Sequence, residues 1–275
     1  MHRHESDFRY SMDFWTQLMY NEKYEELYGT EVKPMNIAVI FAGGTGSRMR
    51  SKEKPKQFLE IYNKPIIVHT IEHFENNEGI DAIVVVCIAE WIDYFHSLVY
   101  KYRLDKVKKV VPGGTTGQLS IYNGLCAAEE LAQGEKSIVL IHDGVRPLIN
   151  SELITRNIGT VQKYGSSITS GIVKETIVEI YDDGGIKNVP DRAHSRVAKA
   201  PQSFWLEDIL AAHRKALASG RTDFIDSCSM MQCYGYKLYM TDGPYENIKI
   251  TTPDDFYTMR AILQAKEDAQ IYGVE

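Results

Sequence analysis

Gly43, Gly44 and Gly46, followed closely by Arg48 and Lys56, form the part of this sequence best suited to chemistry. Glycines remove side chains where a backbone must turn sharply, and they let its N–H groups approach an anion. Arg48 offers a planar fork of donors and Lys56 a movable point charge, so together they can hold and neutralise a phosphate received by the loop. On the glycines alone, an ordinary tight turn is the plainer reading. Two phosphate motifs are excluded, because Met49 stands where the third glycine of GxGxxG belongs and no GK[ST] follows.

The elements that must position these residues alternate. Ile37 to Phe41 is a short apolar run rich in β-branched residues and reads as a buried parallel strand leading into the loop. Phe58 to Tyr62 is a short extended piece, Asn63-Lys64-Pro65 a turn, and Ile66 to Phe74 a helix. Asp81 to Ala89 is a strand, Glu90 to Tyr102 a helix, and Val107 to Val111 a strand ending at Pro112-Gly113-Gly114. Thr115 or Thr116 caps the next helix, leaving backbone N–H groups at its start. Ser137 to Ile141 is a fourth strand that runs into His142-Asp143-Gly144-Val145-Arg146-Pro147. This alternation predicts an α/β fold with a doubly wound, mostly parallel sheet of Rossmann-like type, its ligands at the carboxyl ends of the strands.

The alternation then breaks. Ser151 caps a helix to Tyr164, Ser166 to Ile172 is a strand, and Ile177 to Val189 is a hairpin with Asp182-Asp183-Gly184-Gly185 at its tip. The stretch from about 172 to 192 therefore projects as an arm whose exposed edges call for a second subunit. Phe204 to Ala218 is a helix, Asp226 caps another to Tyr234, Lys237 to Met240 is a strand, and Thr252-Pro253-Asp254 opens a final helix. Residues 1 to 35, dense in aromatics such as Phe14 and Trp15, form an N-terminal helical extension, and 36 to 275 the main domain.

Composition narrows the function. The 275 residues carry a formal net charge of −6, which argues against a general nucleic-acid binder while allowing a local basic pocket for a nucleotide. The longest apolar run, Ala82 to Ala89, is too short to span a membrane, and the N-terminus lacks an apolar leader, so the expected compartment is the cytoplasm. Cys87, Cys126, Cys228 and Cys233 show no CxxC pair and read as buried free thiols. His69 and His73 are spaced as metal ligands can be, but without a third ligand nearby the spacing is incidental, and no protein-held metal is expected.

AGGTGSRM, PKQF, PGG, HDGVRP, APQSF and ENIKITTPDD occur in the order found in the cytidylyltransferases of the methylerythritol-phosphate and ribitol-phosphate family, which this sequence resembles from residue 36 to about 265. The resemblance implies that CTP, with Mg2+ carried on its phosphates, reacts with an alditol phosphate to give a CDP-alditol and pyrophosphate. Transfers of this kind ask for positioning and charge neutralisation rather than a covalent nucleophile. It further implies catalytic roles for Arg48, Lys56 and Lys249, and nucleotide contacts from Ala42, Gly43, Gly44, Gly114 and Ser120. Asp143 and Arg146 from the HDxxRP turn, and Thr176 and Arg192 on the arm and its return, correspond to acceptor-binding positions. Relatives pair through such an arm, so a homodimer is implied.

Where relatives carry arginine in GGxxR, this chain has Gly117; Ala200 stands where a threonine usually precedes PQ, and one extra residue separates Arg48 from Lys56. HTIEHF, the tryptophan of AEWIDYF and VPDRAH resemble the ribitol-phosphate branch, so D-ribitol 5-phosphate is the expected acceptor. The alternatives are 2-C-methyl-D-erythritol 4-phosphate and, in a different class, a non-catalytic nucleotide-binding assembly protein.

Overall fold

The apolar run before the glycine loop is the axis of the sheet. In the computed structural model, which describes residues 33–44 and 54–272, β1 (Met35–Ala42) is flanked on both sides by parallel partners, β4 (Ala82–Cys87) and β6 (Ser137–Asp143). A strand hydrogen-bonded on both edges and covered on both faces reads as continuous apolar sequence. Ile37, Ala38, Val39 and Ile40 are accordingly fully buried. Side chains alternate across the sheet, so Ala38 and Ile40 join one core and Ile37 and Val39 the other. The first core is filled by α1 (Ile66–Glu75), α2 (Ile92–Tyr102) and α4 (Ser151–Tyr164). The second is filled by α3 (Gly117–Ala132), α5 (Leu206–Ala218) and α6 (Ser227–Cys233). A last helix, α7 (Pro253–Tyr272), packs Met259 into a small cluster with Ile66 and Ile250.

Among the described residues the sheet has seven strands in the order β11-β7-β10-β6-β1-β4-β5, with β5 at Val107–Pro112, β7 at Ser166–Ile172, β10 at Arg196–Trp205 and β11 at Met240–Asp242. Only β10 is reversed, antiparallel to both β6 and β7. The expected doubly wound α/β sheet is therefore present, with one reversed strand inside it.

Several boundaries differ from the sequence reading. Phe204 belongs to β10 rather than to a helix, which begins at Leu206. The cap of α4 is Asn150, whose side chain accepts the Leu153 N–H, one residue before the expected Ser151. The last strand is Met240–Asp242 rather than Lys237 to Met240, because only these residues pair with β7. The turn expected at Asn63-Lys64-Pro65 lies at Tyr62-Asn63, both with positive φ, between β2 (Glu60–Ile61) and β3 (Lys64–Pro65).

The arm is present as a short ribbon, β8 (Glu179–Ile180) paired with β9 (Ile186–Asn188), its tip closed by bonds between Tyr181 and Gly184–Gly185. It is narrower than the hairpin expected from Ile177 to Val189. The arm leaves β7 at Ile172 and returns into β10 at Arg196, residues that are register partners. The extension at residues 1–32 lies outside the described residues. Among the described residues no helix is long and apolar enough to cross a membrane.

Candidate active site

The carboxyl ends of β1, β5 and β6 meet at one edge of the sheet, and each contributes a motif. After β1, Gly43 comes close to Gly113, which follows β5: a Cβ on Gly43 would lie 3.7 Å from the Gly113 Cα and 3.4 Å from the Ser120 Oγ. The four described glycines, Gly43, Gly44, Gly113 and Gly114, are not there for a left-handed backbone, since none of them has a positive φ. Space is the reason at Gly113 and Gly114, whereas a Cβ on Gly44 would meet nothing within 4 Å. A Cβ on Gly114 would sit 2.5 Å from the Leu119 Cβ and 2.9 Å from the Leu119 carbonyl carbon. Gly114→Ala is therefore expected to destabilise the fold by about 1–3 kcal/mol, as overpacking does. Urea unfolding measures this, and an unchanged midpoint would mean that the loop relaxes freely.

Ser120 stands between the two glycine loops. Its hydroxyl accepts the Gly114 N–H at 3.0 Å and donates to the Thr116 carbonyl at 2.9 Å, so it ties the loop to the first turn of α3. Thr116 is the cap of that helix, accepting the Leu119 N–H. Gly117 opens the helix into free space, where a Cβ would meet nothing within 4 Å, so the arginine of relatives would fit sterically at this position.

PKQF is built to hold Lys56. Pro55 starts a single turn, Gln57 donates to the Ala42 carbonyl at 2.6 Å, and the buried Phe58 ring stacks on Trp91 with centroids 5.0 Å apart. The turn is thus pinned to the end of β1 on one side and to the core on the other. Lys56 Nζ donates to the Ile250 carbonyl at 3.0 Å, which brings it beside the segment that carries Lys249. Arg48 and Gly46 lie outside the described residues.

Asp143, the last residue of β6, is the centre of the charged group. Its Oδ1 is 2.6 Å from Lys249 Nζ and its Oδ2 accepts from Arg146 Nε at 3.1 Å. Burial alone would raise this carboxyl, but the charges of Arg146 and Lys249 outweigh it and hold its pKa below the ordinary value. Arg146 is itself nearly buried and also donates to the Asn247 carbonyl at 2.9 Å, while Asn247 donates to the Ala200 carbonyl at 2.8 Å. One asparagine thereby joins the HDGVRP turn to APQSF. His142 points the other way: burial pushes its pKa down to about 3, so it is a neutral core group packed on Phe74 with Nε2 at the Arg146 carbonyl. His69 and His73 bond separately to the carbonyls of Ile61 and Pro147 and form no pair.

Asp143, Arg146 and Lys249 face a cleft of about 340 Å3 whose lining also includes Phe41, Gly117 and three residues that sequence reasoning passed over, Lys199, Gln202 and Asp226, but not Lys56. Gln202 bonds the Asp226 carboxylate and the Cys228 N–H. A roomier cleft lies near Lys136, Ser137 and Trp205. Ser137 begins β6 and Trp205 ends the reversed β10, so that cleft is at the opposite edge, away from every motif. Thr176 and Arg192 are not gathered into the Asp143 cleft; both are exposed on the arm, and Arg192 donates to the Lys174 carbonyl.

The profile of the 2-C-methyl-D-erythritol 4-phosphate cytidylyltransferase family matches residues 36–265. The chain belongs to this family. It is accordingly a nucleotidyltransferase, and the matched range contains Gly43, Gly44, Gly113, Gly114, Lys56 and the Asp143 cluster. A ribitol-5-phosphate cytidylyltransferase of Streptococcus agalactiae is 58% identical over 240 residues, covering 87% of this chain and 100% of the relative. A 2-C-methyl-D-erythritol 4-phosphate cytidylyltransferase of Clostridium acetobutylicum is 39% identical, covering 84% of this chain and 98% of the relative. Among solved structures, a 4-diphosphocytidyl-2C-methyl-D-erythritol synthase of Anaerococcus prevotii aligns with a TM-score of 0.73 at 29% identity, covering 84% of this chain and 96% of that one.

Proposed function

We propose that this cytidylyltransferase transfers the cytidylyl group of CTP to D-ribitol 5-phosphate. The observation that carries the acceptor is the step from 39% to 58% identity between the two kinds of relative, each matched over nearly its whole length. The site chemistry agrees with an anionic donor and an anionic acceptor. A phosphate oxygen of the acceptor attacks the α-phosphorus of CTP, the bond to the bridging oxygen breaks, and pyrophosphate leaves. Lys56 and Lys249 neutralise charge that builds on the α-phosphate and the leaving group, and the loops at Ala42–Gly44 and Gly114 receive the nucleotide through backbone groups. Arg48 stands in the same motif and completes the set of cations. Asp143 holds Lys249 and Arg146 in place and presents its carboxylate toward the cleft.

Mg2+ belongs with the triphosphate in this reading. Asp143 and Asp226, the carboxylates lining the cleft, already receive hydrogen bonds or ion pairs on both oxygens. An ion that keeps most of its waters and binds chiefly to substrate phosphates would suit such a site; Asp143 would hold it through water, and it would draw electrons from the α-phosphorus. The arm, Thr176 and Arg192 are assigned to a partner copy's acceptor site. Ile180, Ile186 and Val189 are 62%, 65% and 53% exposed on a ribbon too short to be stable alone, which is the surface a second copy would cover.

The test is turnover of CTP with a panel of alditol phosphates. The highest kcat/KM is expected for D-ribitol 5-phosphate, and CTP should be used far better than ATP. A higher value with 2-C-methyl-D-erythritol 4-phosphate would overturn the acceptor assignment, and equal pyrophosphate release from ATP would overturn the nucleotide.

A further inference from the structure

Lys199 stands within the reversed strand, between the arm's return and Pro201, and the fold makes room for it. A Cβ on the buried Gly171 of β7 would lie 2.9 Å from the Lys199 Cε and 3.3 Å from its Nζ, so the bare glycine is what lets the lysine stem lie across β7. The ammonium donates to the Tyr245 carbonyl at 3.2 Å and lines the Asp143 cleft. Tyr245 in turn carries Lys174, whose Nζ is 3.4 Å from the ring centroid, and the Lys174 carbonyl accepts from Arg192. A continuous set of contacts therefore runs from the arm's return to the cleft.

Charge is out of balance there. Arg146, Lys199 and Lys249 line the cleft, and Asp143 already bonds two of them. Among the described residues no carboxylate lies within ion-pair distance of Lys199. Asp226 is turned to the Ser229 N–H and the Gln202 amide. Burial, then repulsion from Arg146, pushes the Lys199 pKa down, with Glu246 opposing. An ammonium held short of negative charge beside a second cation favours an arriving anion.

Position decides which anion. In the sheet order, β10 lies on the side of β6 away from β1 and β5, whose following loops carry Gly43 and Gly113. Lys199 thus lies on the far side of β6 and its Asp143 from the nucleotide loops. We propose that Lys199 binds the phosphate monoester of the acceptor and sets the specificity of the site for a phosphorylated alditol. A phosphate monoester carries nearly two negative charges at neutral pH, which matches the unbalanced cations. This inference rests on the cytidylyltransferase reading above.

Lys199→Met removes the charge and keeps most of the stem; Lys199→Arg restores a cation. In Lys199→Met the KM for D-ribitol 5-phosphate is expected to rise about tenfold or more, the worth of one charge-assisted hydrogen bond. The KM for CTP should stay within about twofold, and Lys199→Arg should recover most of the loss. Inorganic phosphate, tested as an inhibitor competing with the acceptor, should weaken in parallel with the acceptor KM. A rise in the CTP KM instead, or no change in either constant with the variant folded by thermal unfolding, would overturn the proposal. Wild-type turnover on the acceptor panel tests the underlying reading separately, and the same split between constants is read with whichever alditol phosphate proves best.

Discussion

Lys56→Ala is expected to lower kcat by about a hundredfold or more, as when one preorganised donor at a transition state is removed. The turn that carries it is held by neighbours rather than by the lysine itself. Gln57 reaches the Ala42 carbonyl, and Phe58 is buried against Trp91. Truncating a half-buried lysine whose ammonium donates to a backbone carbonyl removes little packing, so thermal unfolding should move only slightly. Lys64→Ala is a suitable control, since Lys64 pairs with Glu72 on the surface of α1 and lies in no motif; its kcat should match wild type. Steady-state kinetics at saturating CTP decide the matter. A Lys56→Ala enzyme within about threefold of wild type would remove Lys56 from the chemistry and leave Lys249 and Arg48 to carry it.

The second large effect is a recovery of activity. Lys56→Ala and Arg192→Ala proteins should each be nearly inactive, yet a mixture allowed to exchange subunits should regain about a quarter of the wild-type sites. That figure follows from symmetry: half of randomly re-formed dimers are hybrids, and in each hybrid one site receives an intact Lys56 from one copy and an intact Arg192 from the other. The physical case begins with what the arm lacks. β8 and β9 pair over two or three residues, and Ile180, Tyr181 and Ile186 face solvent in the single copy. Arg192 is exposed and apart from its own copy's cleft, so a role in catalysis requires another copy's cleft. Loss of a positioning cation should reduce turnover while leaving CTP binding in place. If native mass spectrometry shows that subunits exchange and no activity returns, the arm does not serve its neighbour.

The parallel half of the fold was legible because its signals are local. β1, β4 and β6 are short apolar runs buried nearly throughout, so nothing competes with the pattern, and the edge strand β5 is marked by its valines and the Pro112-Gly113-Gly114 turn that ends it. β10 was not legible. Its sequence RVAKAPQSFW contains Pro201 and Lys199 mid-run, features that argue against a central strand. The structure admits them because the pairing with β7 breaks its register between Ala198 and Gln202, and the proline sits in that irregularity. The same break hid Lys199 and Gln202 as lining residues, since an alternation that slips cannot say which side chains face a ligand. Asn150 and Ser151 are both good caps, and only geometry chooses between neighbours. The motif around Ser120 speaks of a nucleotide, whereas the hydrogen bonds of its hydroxyl serve the loop. Asp143, Arg146 and Lys249 were found by motif; the Asp143–Arg146 pair is local, whereas the contacts of Asp143 with Lys249 and of Arg146 with Asn247 became visible only when distant parts of the chain were brought together.

The arm begins and ends on register partners, Ile172 in β7 and Arg196 in β10. Its two roots are therefore fixed by the sheet whatever lies between them, and lengthening a flexible connection between fixed ends is cheap, about 0.6 kcal/mol for each doubling. Mutation can rewrite everything from tip to root without disturbing β1, the glycine loops or the seat of Lys56. Descent can thus try new acceptors on an unchanged nucleotide engine, and the arm becomes the interchangeable part: transplanted between relatives at these two residues, it should carry its acceptor preference with it.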